Sequence, residues 1–288
     1  MEMSVSDLPT LREMTCFAAR IRLETLKCVG ARGFGHLGGA LSIVETLAVL
    51  YSGVMRIDPH NPQWPDRDKL VMSKGHAGPA LYATLALKGY FPLDWLSTLN
   101  QPGTRLPSHC DRKLTPGIDM TTGSLGQGVS TAIGLALAQR MDGKGRRTYL
   151  ITGDGELNEG QTWEGALFAP QHKLTNLTWL VDYNHKQLDG ETQDILDLGD
   201  LEAKFAAFGW ATASVNGNDL AAVVRALEAA RRETAKPFCI VLNTVKGAGV
   251  PLVAAIDLNH HIVFDGDLRA KAIAAMEQEI TALEGATA

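Results

Sequence analysis

The chain has 288 residues, 45% of them hydrophobic and 20% charged, the balance of a globular protein long enough to bury a large core. Its 27 basic and 32 acidic side chains leave a formal charge of −5 with no basic run, which argues against nucleic acid as a partner. No apolar stretch approaches the ~18 residues of a membrane span, and the opening MEMSVSDLPTLREMT lacks the basic-then-apolar layout of an export signal.

LREMTCFAARIRLETLKCVGAR has apolar residues at helical spacing and stops near Gly30 and Gly33. ALSIVETLAVLYSG reads as a second helix, and DKLVMS as a short strand ending at KGHAG. LGQGVSTAIGLALAQRMDG is a helix crowded with small residues, suited to close packing in a core or against a partner. Strand-like runs follow at 148–152 (TYLIT), 176–183 (NLTWLVDY) and 238–245 (FCIVLNTV), apolar on both faces as buried parallel strands are. Helices are expected over roughly 157–172, 200–208 and 219–234, with an amphipathic one in the tail LRAKAIAAMEQEITALEG. Strands alternating with helices imply an α/β fold with a doubly wound parallel sheet. Neither a repeat nor a boundary interrupts it, so residues 1–288 read as one domain. The cysteines Cys16, Cys28, Cys110 and Cys239 form no C-x-x-C pair. A zinc cluster is therefore not expected and a reducing cytoplasm is.

One passage, GDGELNEGQTWEGALFAPQHKLTNLTWLVDYN, runs from Gly153 to Asn184. Strands joined by a crossover helix end on the same edge, so Asp154 and Asn184, 30 residues apart, both reach the carboxyl edge where open parallel sheets bind ligands. Gly-Asp-Gly alone is also an ordinary turn. Paired with Asn184, its carboxylate, an amide oxygen and a nearby carbonyl make a hard-oxygen set for Mg²⁺, which shares its shell readily with phosphate. The inference is a metal-bridged diphosphate.

Four of the eight histidines fall in turns: FGHLGG (His36), SKGHAG (His76), LPSHCD (His109) and DLNHHI (His260). Imidazoles titrate near neutrality and can exchange protons during catalysis.

Gly-Asp-Gly, about thirty residues, then Asn resembles the thiamine diphosphate-binding signature. GDGELNEGQTWEGA, VDYNHKQLDG, DRDKLVMSKGHAGPALYATLALKGYF and TTGSLGQG are similar to transketolase in particular, over roughly residues 10–265. By this resemblance Asp154 and Asn184 ligate Mg²⁺ (Ca²⁺ or Mn²⁺ as substitutes) by side chain, and Lys186 by its backbone carbonyl. Gly155 contacts the diphosphate, Glu156 joins the cofactor-binding set, and Gly123, Leu125 and Leu188 line the cofactor. The same resemblance gives His36 proton transfer with sugar hydroxyls and puts His109 near the donor's reacting carbonyl. His76 and His260 then touch the diphosphate and relay protons. His261 follows His260 where the family carries glycine, and competes with it. Glu159 and Glu164 correspond to a glutamate network across a dimer interface.

Transketolases are more than twice this long. Their second domain supplies the glutamate and aromatic pocket for the pyrimidine ring, and the basic residues for sugar phosphate. The resemblance therefore implies the N-terminal subunit of a split transketolase, inactive alone and joined to a C-terminal pyrimidine-binding subunit in a two-plus-two heterotetramer. Its reaction is the transfer of a two-carbon ketol unit from a ketose, or its phosphate, to an aldose, or its phosphate. Alternatives are a subunit of a 2-oxoacid dehydrogenase or deoxyxylulose-phosphate-synthase type, or a non-catalytic cofactor-binding regulator.

Overall fold

A computed structural model describes residues 9–285; residues 1–8, within the opening where no export signal is expected, lie outside the described residues. In chain order the first half holds α1 (Leu11–Arg32), β1 (Phe34–His36), α2 (Gly38–Leu41), α3 (Val44–Val49), β2 (Lys69–Met72), α4 (Gly78–Leu87) and α5 (Gln127–Met141). There follow β3 (Thr148–Gly153), α6 (Gly160–Gln171), β4 (Leu177–Tyr183), α7 (Thr192–Leu196), α8 (Leu201–Phe208) and β5 (Ala211–Asn216). The last are α9 (Leu220–Arg232), β6 (Phe238–Asn243), α10 (Pro251–Ala254), β7 (His261–Val263) and α11 (Gly266–Gly285). No helix among the described residues is long and apolar enough to cross a membrane.

Five strands form one sheet in the order β2-β3-β4-β6-β5, every pair parallel. Successive side chains of a strand point to opposite faces, and the core divides accordingly. Leu150, Trp179, Val181 and Val241 pack under α5, α6 and α8. Tyr149, Ile151, Leu180 and Ile240 pack on the other face under α1, α3, α4 and α9. This is the α/β doubly wound arrangement expected of strands apolar on both faces.

Helix α1 begins with a capping box, Thr10 and Glu13 satisfying each other's N–H groups, and ends at Gly33 in the left-handed region (φ 86°). The second helix expected from ALSIVETLAVLYSG is broken into α2, α3 and a π-helical turn over Leu50–Val54, with Gly53 at φ 141°. Residues 38–50 are all buried, so packing on every side shapes this segment and no helical periodicity governs it. Three strands escape the sequence pattern. β5 is a half-exposed edge strand, ATASVN, with one large apolar side chain (Val215), and β1 and β7 are three residues each, paired antiparallel outside the main sheet.

Helix α11 buries Ala272 and Met276, one stripe at i, i+4. It lies along α1, where Arg12 donates to the Leu283 carbonyl (2.9 Å) and Arg20 pairs with Glu284 (2.6 Å). The small residues of α5 serve its packing: a Cβ on Gly128 would collide with Ser73 just past β2. On the facing helix α6, a Cβ on Gly165 would stand 2.5 Å from Val129.

Candidate active site

Adjacent strands deliver one polar residue each to the carboxyl edge of the sheet: Lys74 beyond β2, Asp154 beyond β3, Asn184 beyond β4 and Lys246 beyond β6. All four line a single cleft. Its walls also carry Gly155, Glu156, Leu125, Leu188, His76 and His260, together with the Lys186 loop.

Asp154 is 2% exposed. Its oxygens accept from the Gly155 N–H (2.8 Å) and the Thr192 hydroxyl (3.0 Å), and among the described residues no cation pairs with it. Burial, and then the neighbouring Asp182, push its carboxyl up to about 6. Asn184 Nδ2 donates to Asp182 (2.9 Å), which fixes the amide flip, while its Oδ1 accepts from the Lys186 N–H (3.2 Å). The Lys186 carbonyl accepts from the Lys246 ammonium (2.6 Å). His185 sits in the left-handed region (φ 66°) at the bend that presents this carbonyl. The Lys186 side chain turns away, to Glu191 and Asp257.

Beneath lies a buried polar hub. Asp182, fully buried, pairs with Lys74 and accepts from Ser42 (2.7 Å), Thr244 (2.5 Å) and Asn184. Burial alone would raise the Asp182 carboxyl, but Lys74 and these donors outweigh it and hold it low. Glu156 is tied down in the same way. It accepts from the Ser73 hydroxyl and from the N–H groups of Gly126 (2.8 Å) and Gly153 (3.2 Å), so it braces the glycine turns. Burial pushes its carboxyl up. Gly155 leaves room that a side chain would fill, since a Cβ there would stand 2.8 Å from Gln187.

The histidines converge on His36. Its ring centroid lies 5.5 Å from His76, 5.4 Å from His109, 5.3 Å from His260 and 4.7 Å from His261. The β1–β7 pairing sets His36 directly opposite His261. Desolvation first, then His261, His109 and Lys246, push His36 down to about 4. Desolvation, then Lys246 and His36, push His260 down to about 3. His76 falls well below its usual value through burial and then Lys74. Burial lowers His109 as well. His260 lines the cleft, whereas His261 is exposed and faces His36 from outside it.

Five expected residues do not line the cleft: His36, in ring contact with His76 and His260, His109, in ring contact with His36, and Gly123, Glu159 and Glu164. Gly123 lies behind His109, its absent Cβ 3.3 Å from that ring; Glu159 is exposed at the N-cap of α6, and Glu164 is exposed within that helix. Cys110, next to His109, is buried, and burial pushes its thiol up to about 12. Sequence reasoning misses Lys74, Asp182 and Lys246. SKGHAG, VDYN and VKGAGV contain them, but buried charge is the signal and only contacts between distant segments reveal it.

The family described as "Transketolase, thiamine diphosphate binding domain" matches residues 14–282. The chain is 53% identical over 259 residues to the 6-deoxy-6-sulfo-D-fructose transketolase subunit SqwG of Clostridium sp. (strain MSTE9), across 90% of this chain and 94% of that protein. It is 42% identical over 250 residues to an apulose-4-phosphate transketolase subunit from Actinobacillus succinogenes, across 87% and 90%. A solved transketolase variant from Pichia stipitis is similar at 30% identity and a TM-score of 0.84, over 94% of this chain and 41% of that one.

Proposed function

Because the chain belongs to the transketolase family, through its thiamine diphosphate-binding domain, we propose that it is the diphosphate-binding subunit of a two-chain transketolase. The observation that carries this is coverage. The chain spans 94% of one transketolase subunit and 90% of another, but 41% of a solved transketolase chain. In this reading residues 1–288 form one diphosphate-binding domain, a pyrimidine-binding subunit completes the site, and a cytoplasmic two-plus-two heterotetramer is the working assembly.

The residues present fit Mg²⁺ and a diphosphate. A buried carboxylate without a cation, an amide oxygen fixed by its flip and a carbonyl on the same loop are hard donors of the kind Mg²⁺ takes. Asp154, Asn184 and the Lys186 carbonyl hold the metal, and the Gly155 turn makes room for phosphate. Leu125 and Leu188 give the cofactor apolar walls. Thiamine diphosphate, when bound, supplies the carbanion-stabilising chemistry of ketol transfer. The protein's part is orientation and proton movement. His36, with its imidazole kept neutral well below neutral pH, has a free ring nitrogen to take a proton from a sugar hydroxyl. His109, in ring contact with it, holds the donor near its reacting carbonyl. His76 and His260 complete the path between sugar and diphosphate.

For the donor we propose a ketose with an anionic far end, with 6-deoxy-6-sulfo-D-fructose the first to try, from the relative at 53% identity. The test is reconstitution with the partner subunit, Mg²⁺ and thiamine diphosphate, assayed for two-carbon transfer from sulfonated and phosphorylated ketoses. Ketol transfer to an aldose supports the reading. Pyruvate decarboxylation without transfer would move the protein to the 2-oxoacid or deoxyxylulose-phosphate-synthase type.

A further inference from the structure

The cleft described above occupies the carboxyl edge of the sheet. Another pocket opens at the amino edge, where the chain enters β2 and β3. Arg56, Arg147 and Arg231 line it with a single carboxylate, Asp68, so its formal charge is +2. Asp68 is buried and turned to the backbone: it accepts from the N–H groups of Arg56 (2.9 Å) and Arg147 (2.8 Å), and at longer range from the Arg56 guanidinium (3.5 Å). The Arg147 guanidinium caps α9, donating to the carbonyls of Ala230 (3.4 Å) and Arg231 (2.7 Å), and that of Arg56 donates to the Gly145 carbonyl (3.1 Å). Among the described residues no carboxylate lies within ion-pair reach of Arg231. A guanidinium carries five N–H donors, so all three have donors left over. A second observation points the same way. The Tyr149 hydroxyl is buried and has no hydrogen-bond partner among the described residues. Burial raises this phenol's pKa, and after burial the charges acting on it are those of Asp68, Arg147, Arg231 and Arg56, the four charged residues of the pocket. A buried hydroxyl without a partner is costly, and an ion bound beside it removes that cost.

We propose that this pocket is an anion site for a phosphate dianion, either the free ion or the end group of a phosphorylated small molecule. Guanidinium forks match phosphate oxygens in pairs, and the pocket's charge matches that of the dianion. The site is separate from the cleft: strands β2 and β3 set it roughly 20 Å from Lys74 and Asp154, at about 3.3 Å per residue. It therefore does not depend on what the cleft binds. The three arginines come from the segment before β2, the start of β3 and the last turn of α9. One bound ion ties these three segments together.

The experiment uses the full chain with its partner subunit, saturated with Mg²⁺ and thiamine diphosphate so that the cleft is filled, as wild type, Arg231→Met, Arg56→Met and Arg232→Met. Arg232 is the control: it neighbours Arg231 in sequence but is exposed, reaches toward Glu228 (4.0 Å) and does not line the pocket. Binding of inorganic phosphate is measured by equilibrium dialysis. Arg231→Met and Arg56→Met are each expected to weaken one phosphate per copy of this chain ~10- to 100-fold, the range for losing a charged hydrogen bond. Arg232→Met binds as wild type does. Arg56 also touches Asp68 and Gly145, so its variant is checked by melting temperature. The Arg231 guanidinium makes no hydrogen bond or ion pair among the described residues, so its variant reads the site without disturbing the fold. No phosphate bound by wild type, or binding unchanged in Arg231→Met, overturns the inference. So does an equal loss in Arg232→Met, which would mean diffuse surface charge. Ribose 5-phosphate in place of phosphate separates the two sources. If the binding that Arg231→Met removes is tighter for the sugar phosphate, the ligand is a phosphate ester; if it is not, the ligand is the free ion.

Discussion

Asp154 carries a negative charge that the surrounding protein does not neutralise. Such a residue trades stability for binding. Replacing it with Asn keeps the shape and removes the buried charge. In chelator, Asp154→Asn is expected to be more stable than wild type by ~1–3 kcal/mol, by denaturant titration. With Mg²⁺ and thiamine diphosphate the order reverses, because only wild type gains from binding. A variant less stable than wild type in chelator would count against a buried, unpaired carboxylate. The histidine cluster sets a pH dependence of definite sign. His36 at about 4 and His260 at about 3 lie below their unfolded value, so below that value the unfolded chain binds more protons than the folded one. Their contribution is whole above pH ~6.5 and is lost as pH falls through the folded values. The melting temperature should drop between pH 6.5 and about 4, and His36→Gln should flatten that limb. An equal slope in the variant would mean that other groups set it.

At the scale of elements, the site stands on the packing of α5 and α6 against the strand ends. Gly128 has no room for a Cβ against Ser73, whose hydroxyl holds Glu156, which in turn holds the N–H groups of Gly126 and Gly153. Gly128→Val should cost about 1–3 kcal/mol, the usual range for overpacking. It should also weaken cofactor binding, although the residue is remote from the ligand; stability loss with binding intact would uncouple the brace from the site. The buried strands β3, β4 and β6 were legible in the sequence because apolar, β-branched runs on both faces have few other fates. So was the convergence of Asp154 and Asn184, since crossover topology fixes which edge they share. The edge strand β5 and the ribbon of β1 and β7 were not legible, being too short or too exposed for a periodic signal. Lys74 and Asp182 stayed hidden for another reason: they lie 108 residues apart and meet only in the fold.

For the whole molecule, one prediction concerns assembly. Leu188, 59% exposed, borders the cleft, and Ile195 and Leu196 stand exposed at 50% and 56% on the short helix that follows. Native mass spectrometry of the reconstituted enzyme should show two copies of each subunit and two cofactors, and Leu188→Asp should shift that population toward free subunits. A complex unaffected by the substitution would place the contact elsewhere.

The arrangement of the strand ends has a consequence for exchange kinetics. Asp154 and Asn184 extend from β3 and β4, each flanked by strands on both sides. Amides in such interior strands exchange chiefly through global opening, whereas frayed loops open on their own. A ligand clamped between those two residues is coupled to the opening of the central sheet. Occupancy should therefore slow deuterium uptake across the whole interior, and a mass shift confined to the Lys186 loop would mean that the clamp moves independently of the sheet.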